Sequence, residues 1–195
     1  MSKKMKREDL LSLEQYSEKR SAMRERVVRH KALRTIFLGD HLALYFEDIQ
    51  TIQYQVQEML RIEKIFDSVG IAEELEVYNP LIPDGMNLKA TMMLQYTDEV
   101  ERRAALITLK GIEEKVFFRV DAGEEIKGFP DEDLERSNDD KTSAVHFLRF
   151  EFNRTQINRL KNGGVLSLSV NHQDCAFCID ALPDEQQKAL LLDFD

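Results

Sequence analysis

The chain has 195 residues, 43% of them hydrophobic, enough for one substantial domain with its own core. Its formal net charge is −9 and its pI is near 5.1, which makes nucleic acid an unlikely partner. No apolar run approaches the roughly 18 residues of a transmembrane span, and the start Met1-Ser2-Lys3-Lys4 leads into charge, not into an apolar signal segment. A cytoplasmic, membrane-free protein is expected. Two cysteines alone make no disulfide framework, which fits a reducing compartment.

Residues 1–34 carry eleven Lys and Arg against five Asp and Glu, a net of +6, so the remainder carries −15. Glu8 to Leu33 lacks Gly and Pro and spaces its apolar residues helically. A basic helical arm over 1–34 is therefore expected. Its plain reading is docking on the body of its own protomer or on a second copy in a homo-oligomer, with an acidic partner as the alternative.

Two short strands follow, Thr35 to Leu38 and Leu42 to Phe46, joined through Gly39-Asp40. The stretch Ile49 to Val69 then reads as one long helix closed by Gly70. Ile49, Ile52, Val56, Met59, Leu60 and Phe66 share one apolar arc with Glu63 inside it. Tyr54, Ile62, Ile65 and Val69 form a second flank that encloses Glu58, and Gln55 lies between the two. A helix apolar around so much of its circumference is expected to be surrounded by other elements. Carboxylates there must be paired, hydrogen-bonded, metal-bound or protonated.

A second helix, Ala72 to Tyr78, stops before proline. Asn79, Pro80, Pro83, Asp84 and Gly85 then mark a stiff, turn-rich loop. Asn87 to Tyr96 alternates as a strand, Asp98 caps a helix to about Leu109, and Lys115 to Val120 is a strand. Asp121 to Asp140 is polar and acidic and reads as a solvated loop. Ala144 to Phe152, Val165 to Val170 and Cys175 to Ala181 are strands, Arg154 to Lys161 is a short helix, and Pro183 opens a terminal one. Without regular βα alternation the expected class is α+β. The expected architecture is a mostly antiparallel sheet packed by a long central helix and several shorter ones, with residues 35–195 as a single domain behind the arm.

Period two along Val145 to Phe152 puts His146 on the face with Leu148, Phe150 and Phe152, and Arg149 on the face with Val145, Phe147 and Glu151. Arg149 paired with Glu63 or Glu58 is the architectural reading of these residues. The functional reading brings Glu58, Glu63 and His146 together as ligands for iron, manganese or zinc, with Tyr54, Gln55 and Arg149 around them. Burial would also tune such groups for acid–base chemistry. A third reading is an anionic ligand held by Arg149. His30, His41 and His172 read as surface or loop histidines. Cys175 and Cys178 are three apart on a strand, point to opposite faces, and read as ordinary strand cysteines. No GxGxxG, GxxxxGK[ST], HExxH or GxSxG is present.

The segments Ile52 to Arg61, Tyr78 to Gly85 and Lys141 to Phe150 together resemble an uncharacterised bacterial family, a domain of unknown function, over nearly the full length. Members of that family are often encoded beside rubrerythrin-like proteins and iron–sulfur proteins similar to heterodisulfide reductase subunits. The resemblance thus implies a cytoplasmic accessory or binding protein of a redox or oxidative-stress system, with such proteins as partners. Its contact surfaces would be the arm and the Pro80–Gly85 loop. The alternative function is a metal-dependent enzyme or metal sensor using Glu58, Glu63 and His146.

Overall fold

The structure, a computed structural model, describes residues 4–130 and 141–195. Eight antiparallel strands form one sheet: β1 (Thr35–Leu38), β2 (Leu42–Glu47), β3 (Asn87–Leu94), β4 (Val116–Val120), β5 (Glu125–Pro130), β6 (Val145–Glu151), β7 (Leu166–His172) and β8 (Cys175–Ile179), in the spatial order β1-β2-β3-β6-β5-β4-β7-β8. Among the described residues six α-helices accompany it: α1 (Leu13–Ala32), α2 (Ile49–Glu63), α3 (Ser68–Tyr78), α4 (Glu99–Thr108), α5 (Arg154–Lys161) and α6 (Asp184–Leu191).

The sheet curls until its two edges nearly meet. At one end Gly39, in the β1–β2 turn, lies so close to the Phe177 ring of β8 that a Cβ there would overlap it. On the edge strand β1, Gln186 of α6 donates to Thr35 O at 2.8 Å. Alternate residues of the strands fill the enclosed interior, among them Leu44, Phe46, Leu88, Met92, Phe118, Phe150 and Leu168. Phe118 meets Phe150 edge-on at 4.8 Å. Leu106, Ile157 and Leu190 bring α4, α5 and α6 into the same core.

This architecture corrects the expected one, in which a long helix packs the sheet from its centre. The strands pack chiefly on one another across the interior of a nearly closed barrel-like sheet. Helix α2 buries Ile52, Val56 and Leu60 in a separate cluster, with Met5 from the N-terminal segment, Ile71 and Leu75 of α3, and Ile82. The long helix is also shorter than its periodicity predicts. Lys64 adopts the left-handed conformation (φ 55°) as its C-cap, and Asp67 starts α3 by accepting from the backbone N–H of Val69 and Gly70. Gly70 is therefore inside α3 and is no cap.

Other boundaries moved less. A single 3-10 turn, Arg7–Asp9, precedes α1, whose start is fixed by a Ser12–Gln15 capping box. Part of the expected 121–140 loop is strand β5. Residues 131–140 of that loop lie outside the described residues.

Candidate functional site

Four strands converge on one row of side chains. Glu47 of β2 is opposite Lys89 of β3, Lys89 is opposite Arg149 of β6, and Arg149 is opposite Phe129 of β5. Directly opposed residues share a face, and this row lies on the outer face, away from the packed interior. Phe147, two residues from Arg149, joins that face by the period of two. The 3-10 turn Asn79–Leu81 rises over it. The result is a groove of about 430 Å³ lined by Glu47, Lys89 and Arg149, with Pro80, Leu81, Phe129, Pro130 and Phe147 as its apolar walls.

The polar groups of the groove are individually engaged. Glu47, only 5% exposed, accepts from Thr51 Oγ1 at 2.6 Å and Thr91 Oγ1 at 2.9 Å. Lys89 Nζ donates to Pro80 O at 2.5 Å and Ile82 O at 3.0 Å, holding the turn against the sheet. Burial lowers the affinity of Lys89 for its proton. Arg149 beside it acts in the same direction, and Asp84 and Glu151 oppose it. The Arg149 guanidinium lies 5.7 Å from the Phe129 ring centroid, in range of a cation–π contact, and pairs with Glu151 in an exposed ion pair.

The acid–histidine cluster expected from sequence is not assembled. Glu58 is half-buried, but it is held by α1: Arg20 donates through Nε at 2.6 Å and Nη2 at 2.8 Å, and the Tyr16 hydroxyl donates at 2.5 Å. The Arg20 hydrogen bonds, aided by Tyr16 and Arg61, outweigh burial and hold its carboxyl at about 2. Glu63 is exposed in the last turn of α2, contrary to the buried position expected. Tyr54 and Gln55 are half-buried on α2.

His146 is buried elsewhere, its Nε2 2.8 Å from Thr142 Oγ1 and 3.0 Å from Ser143 O, and Thr142 donates to Glu113 at 2.9 Å. Arg149 turns to Glu151 and Phe129, and pairs with neither Glu58 nor Glu63. Among the described residues no group of three or more His, Cys, Asp and Glu side chains is placed to hold a metal ion. His172, expected at the surface, is 7% exposed and bonds Lys110 O at 3.1 Å.

The loop residues fare differently. Pro80 forms a wall of the groove. Asn79 ties down the N-terminal segment, accepting from Met5 N at 2.7 Å and donating to Met5 O at 3.0 Å. Asp84 accepts from Met86 N, and Gly85 (φ 98°) receives Asp195 N on its carbonyl. Sequence reasoning thus named two parts of the groove, Arg149 and the Pro80 loop. It missed Lys89, whose only local signal is alternation within a strand of unknown neighbours, Glu47, one residue past the expected end of its strand, and Phe129, which fell in a segment read as a loop.

A protein-family model described as a protein of unknown function (DUF3501) matches residues 4–194. The crystal structure of a novel protein of unknown function from Burkholderia pseudomallei K96243 is 46% identical to this chain. It covers 98% of this chain and 100% of its own, with a TM-score of 0.92. A search of curated proteins returned no match. No helix among the described residues is long and apolar enough to cross a membrane.

Proposed function

We propose, for a chain that belongs to the DUF3501 family, that it is a binding protein whose site is the groove between the Pro80–Leu81 turn and the outer face of β3, β6 and β5. The ligand it suits is a small carboxylate with an apolar or aromatic body. One observation carries this reading: the Arg149 guanidinium, laid over Phe129, opens onto a cleft whose other walls are Pro80, Leu81 and Phe147. The aromatic and proline surfaces take the apolar body, and the planar guanidinium fork takes the carboxylate. Glu151 holds that fork only in an exposed pair, and such pairs contribute about 0–1 kcal/mol. A ligand carboxylate shielded by the apolar walls displaces it at little cost.

The protein acts as a cytoplasmic accessory of a bacterial redox or oxidative-stress system, with no turnover of its own, and iron–sulfur and rubrerythrin-type proteins are the first partners to test. Co-purification with neither class, with no effect on their activity, removes that setting.

The groove itself is tested with phenylacetate as the probe, followed by backbone NMR shifts. Saturable shifts centred on Phe129, Phe147 and Arg149 are expected, and Arg149→Ala weakens binding at least about tenfold through loss of a charge-assisted bond. Shifts that never saturate, or that miss the groove, overturn the reading.

A further inference from the structure

The groove contains an amine in an unusual electrostatic position. Lys89 is half-buried, and among the described residues no carboxylate lies within ion-pair distance of its Nζ. Its hydrogen bonds go to two backbone carbonyls, Pro80 O and Ile82 O. A neutral amine has two N–H donors and one lone pair. Two carbonyl acceptors therefore satisfy it completely and leave the lone pair over.

Directly across its two ladders stand the cation Arg149 on β6 and the buried Glu47 on β2. Desolvation and a neighbouring cation are the two devices that make a lysine nucleophilic near neutral pH. Other charged groups bear on the site. Asp84 and Glu151 favour the ammonium, Asp84 more than Arg149 opposes it, so burial is the main influence that loosens the proton. Glu151 itself pairs with Arg149 and accepts from Asn87. The outer-face carboxylate of Glu47 is committed to Thr51 and Thr91.

We propose that Lys89 captures carbonyl-bearing carboxylates, 2-oxo acids with an apolar body, as a reversible imine. The inference rests on the groove being a carboxylate site and adds covalent chemistry to it. Arg149 holds the carboxylate, which brings the adjacent carbonyl carbon toward the amine one strand away. The lone pair of Nζ forms the N–C bond, and the carbonyl oxygen takes up the amine hydrogens and departs as water. The product is an imine; no oxidant or reductant takes part, and hydrolysis returns both components. Protonation of the imine nitrogen gives an iminium whose one N–H keeps a backbone carbonyl as its acceptor. Alongside a redox partner, such a site would hold or deliver a reactive oxo acid; binding alone requires no electron transfer.

The test uses the full-length chain with phenylpyruvate as probe and cyanoborohydride to trap the imine, read by intact mass and peptide mapping. Lys89 is expected to be labelled at least about tenfold faster than the mean of the exposed lysines. Phenylacetate, which lacks the carbonyl, should protect Lys89 and leave the exposed lysines unprotected. Lys89→Arg removes the selective adduct, and the protection experiment stands even where that variant folds poorly. If phenylacetate binds the groove and phenylpyruvate labels Lys89 no faster than surface lysines, the imine proposal falls and the binding site remains. If neither compound is held in the groove, both fall together.

Discussion

Arg34 and Asp193 form an ion pair that ties the C-terminal end of the chain to the entrance of the sheet. Arg34 is 1% exposed, and the rest of its guanidinium is spent on backbone carbonyls: Phe46 at 3.1 Å, Glu47 at 3.1 Å and Ala189 at 2.8 Å. It also lies 3.6 Å from Asp48, which His30 meets at 2.5 Å. One guanidinium thus joins the end of α1, strand β2 and helix α6. Its removal leaves three buried carbonyls and a carboxylate without their donor. Arg34→Met should therefore cost about 3–5 kcal/mol, read as a lowered urea midpoint.

Asp193 gives the same cluster a pH dependence. Burial pushes its carboxyl up to about 6, against the pull of Arg34. A carboxyl raised in the folded state holds its proton better there than in the unfolded chain. Its contribution is complete below about 4 and is lost as the pH rises through about 6. Urea unfolding of Asp193→Asn between pH 4 and 7 should lack this descending component.

Glu58 has the opposite sign. Its carboxyl is held at about 2, chiefly by the Arg20 hydrogen bonds. The stability it supplies is present above about 4.5 and is lost as the pH falls through about 2. Because Arg20 is partly exposed, the loss in Glu58→Gln at pH 7 is expected to be about 1 kcal/mol. The difference from the parent should shrink toward pH 2. The exposed Glu63→Gln change should stay within about 0.5 kcal/mol at any pH.

In the groove, Glu151 competes with a ligand for Arg149. Glu151→Gln should therefore tighten phenylacetate binding by about two- to fivefold, the factor corresponding to loss of an exposed pair. Calorimetric titration of parent and variant reads this directly, and a weaker complex in the variant would sink the role given to Arg149.

Gly85 carries a backbone constraint at the foot of the same loop. Its φ of 98° is outside what an L side chain adopts comfortably, and a Cβ there would collide with the Asp195 side chain. Gly85→Ala should cost at least about 1–2 kcal/mol, measured as a fall in Tm.

Much of the local structure is legible in the chain itself. Asp98 marks a helix start because its side chain answers backbone N–H groups a few residues on; Ser12 with Gln15 does the same for α1, a signal passed over when the helix is begun at Glu8. The alternation in Val145 to Phe152 places Arg149 and Phe147 on one face and His146 on the other, because successive side chains on a strand must diverge. The prolines around Leu81 fix a stiff turn by geometry alone. Even the break in the long helix had a local signal, the cap residue Asp67, masked by apolar spacing that continues through Phe66 and Val69.

What only the tertiary structure decided is neighbourhood. A period of two assigns faces but does not say which strand lies alongside which. So Lys89, Arg149 and Phe129, from β3, β6 and β5, become one site only through long-range pairing. The same limit separated Glu58 from His146. Burial asks each buried carboxylate for a partner, and the nearest answer to Glu58 was Arg20 on α1, a choice set by how α1 packs on α2. Curling of the sheet into a near-closed interior let the strands satisfy one another, and left α2 to build its own cluster outside.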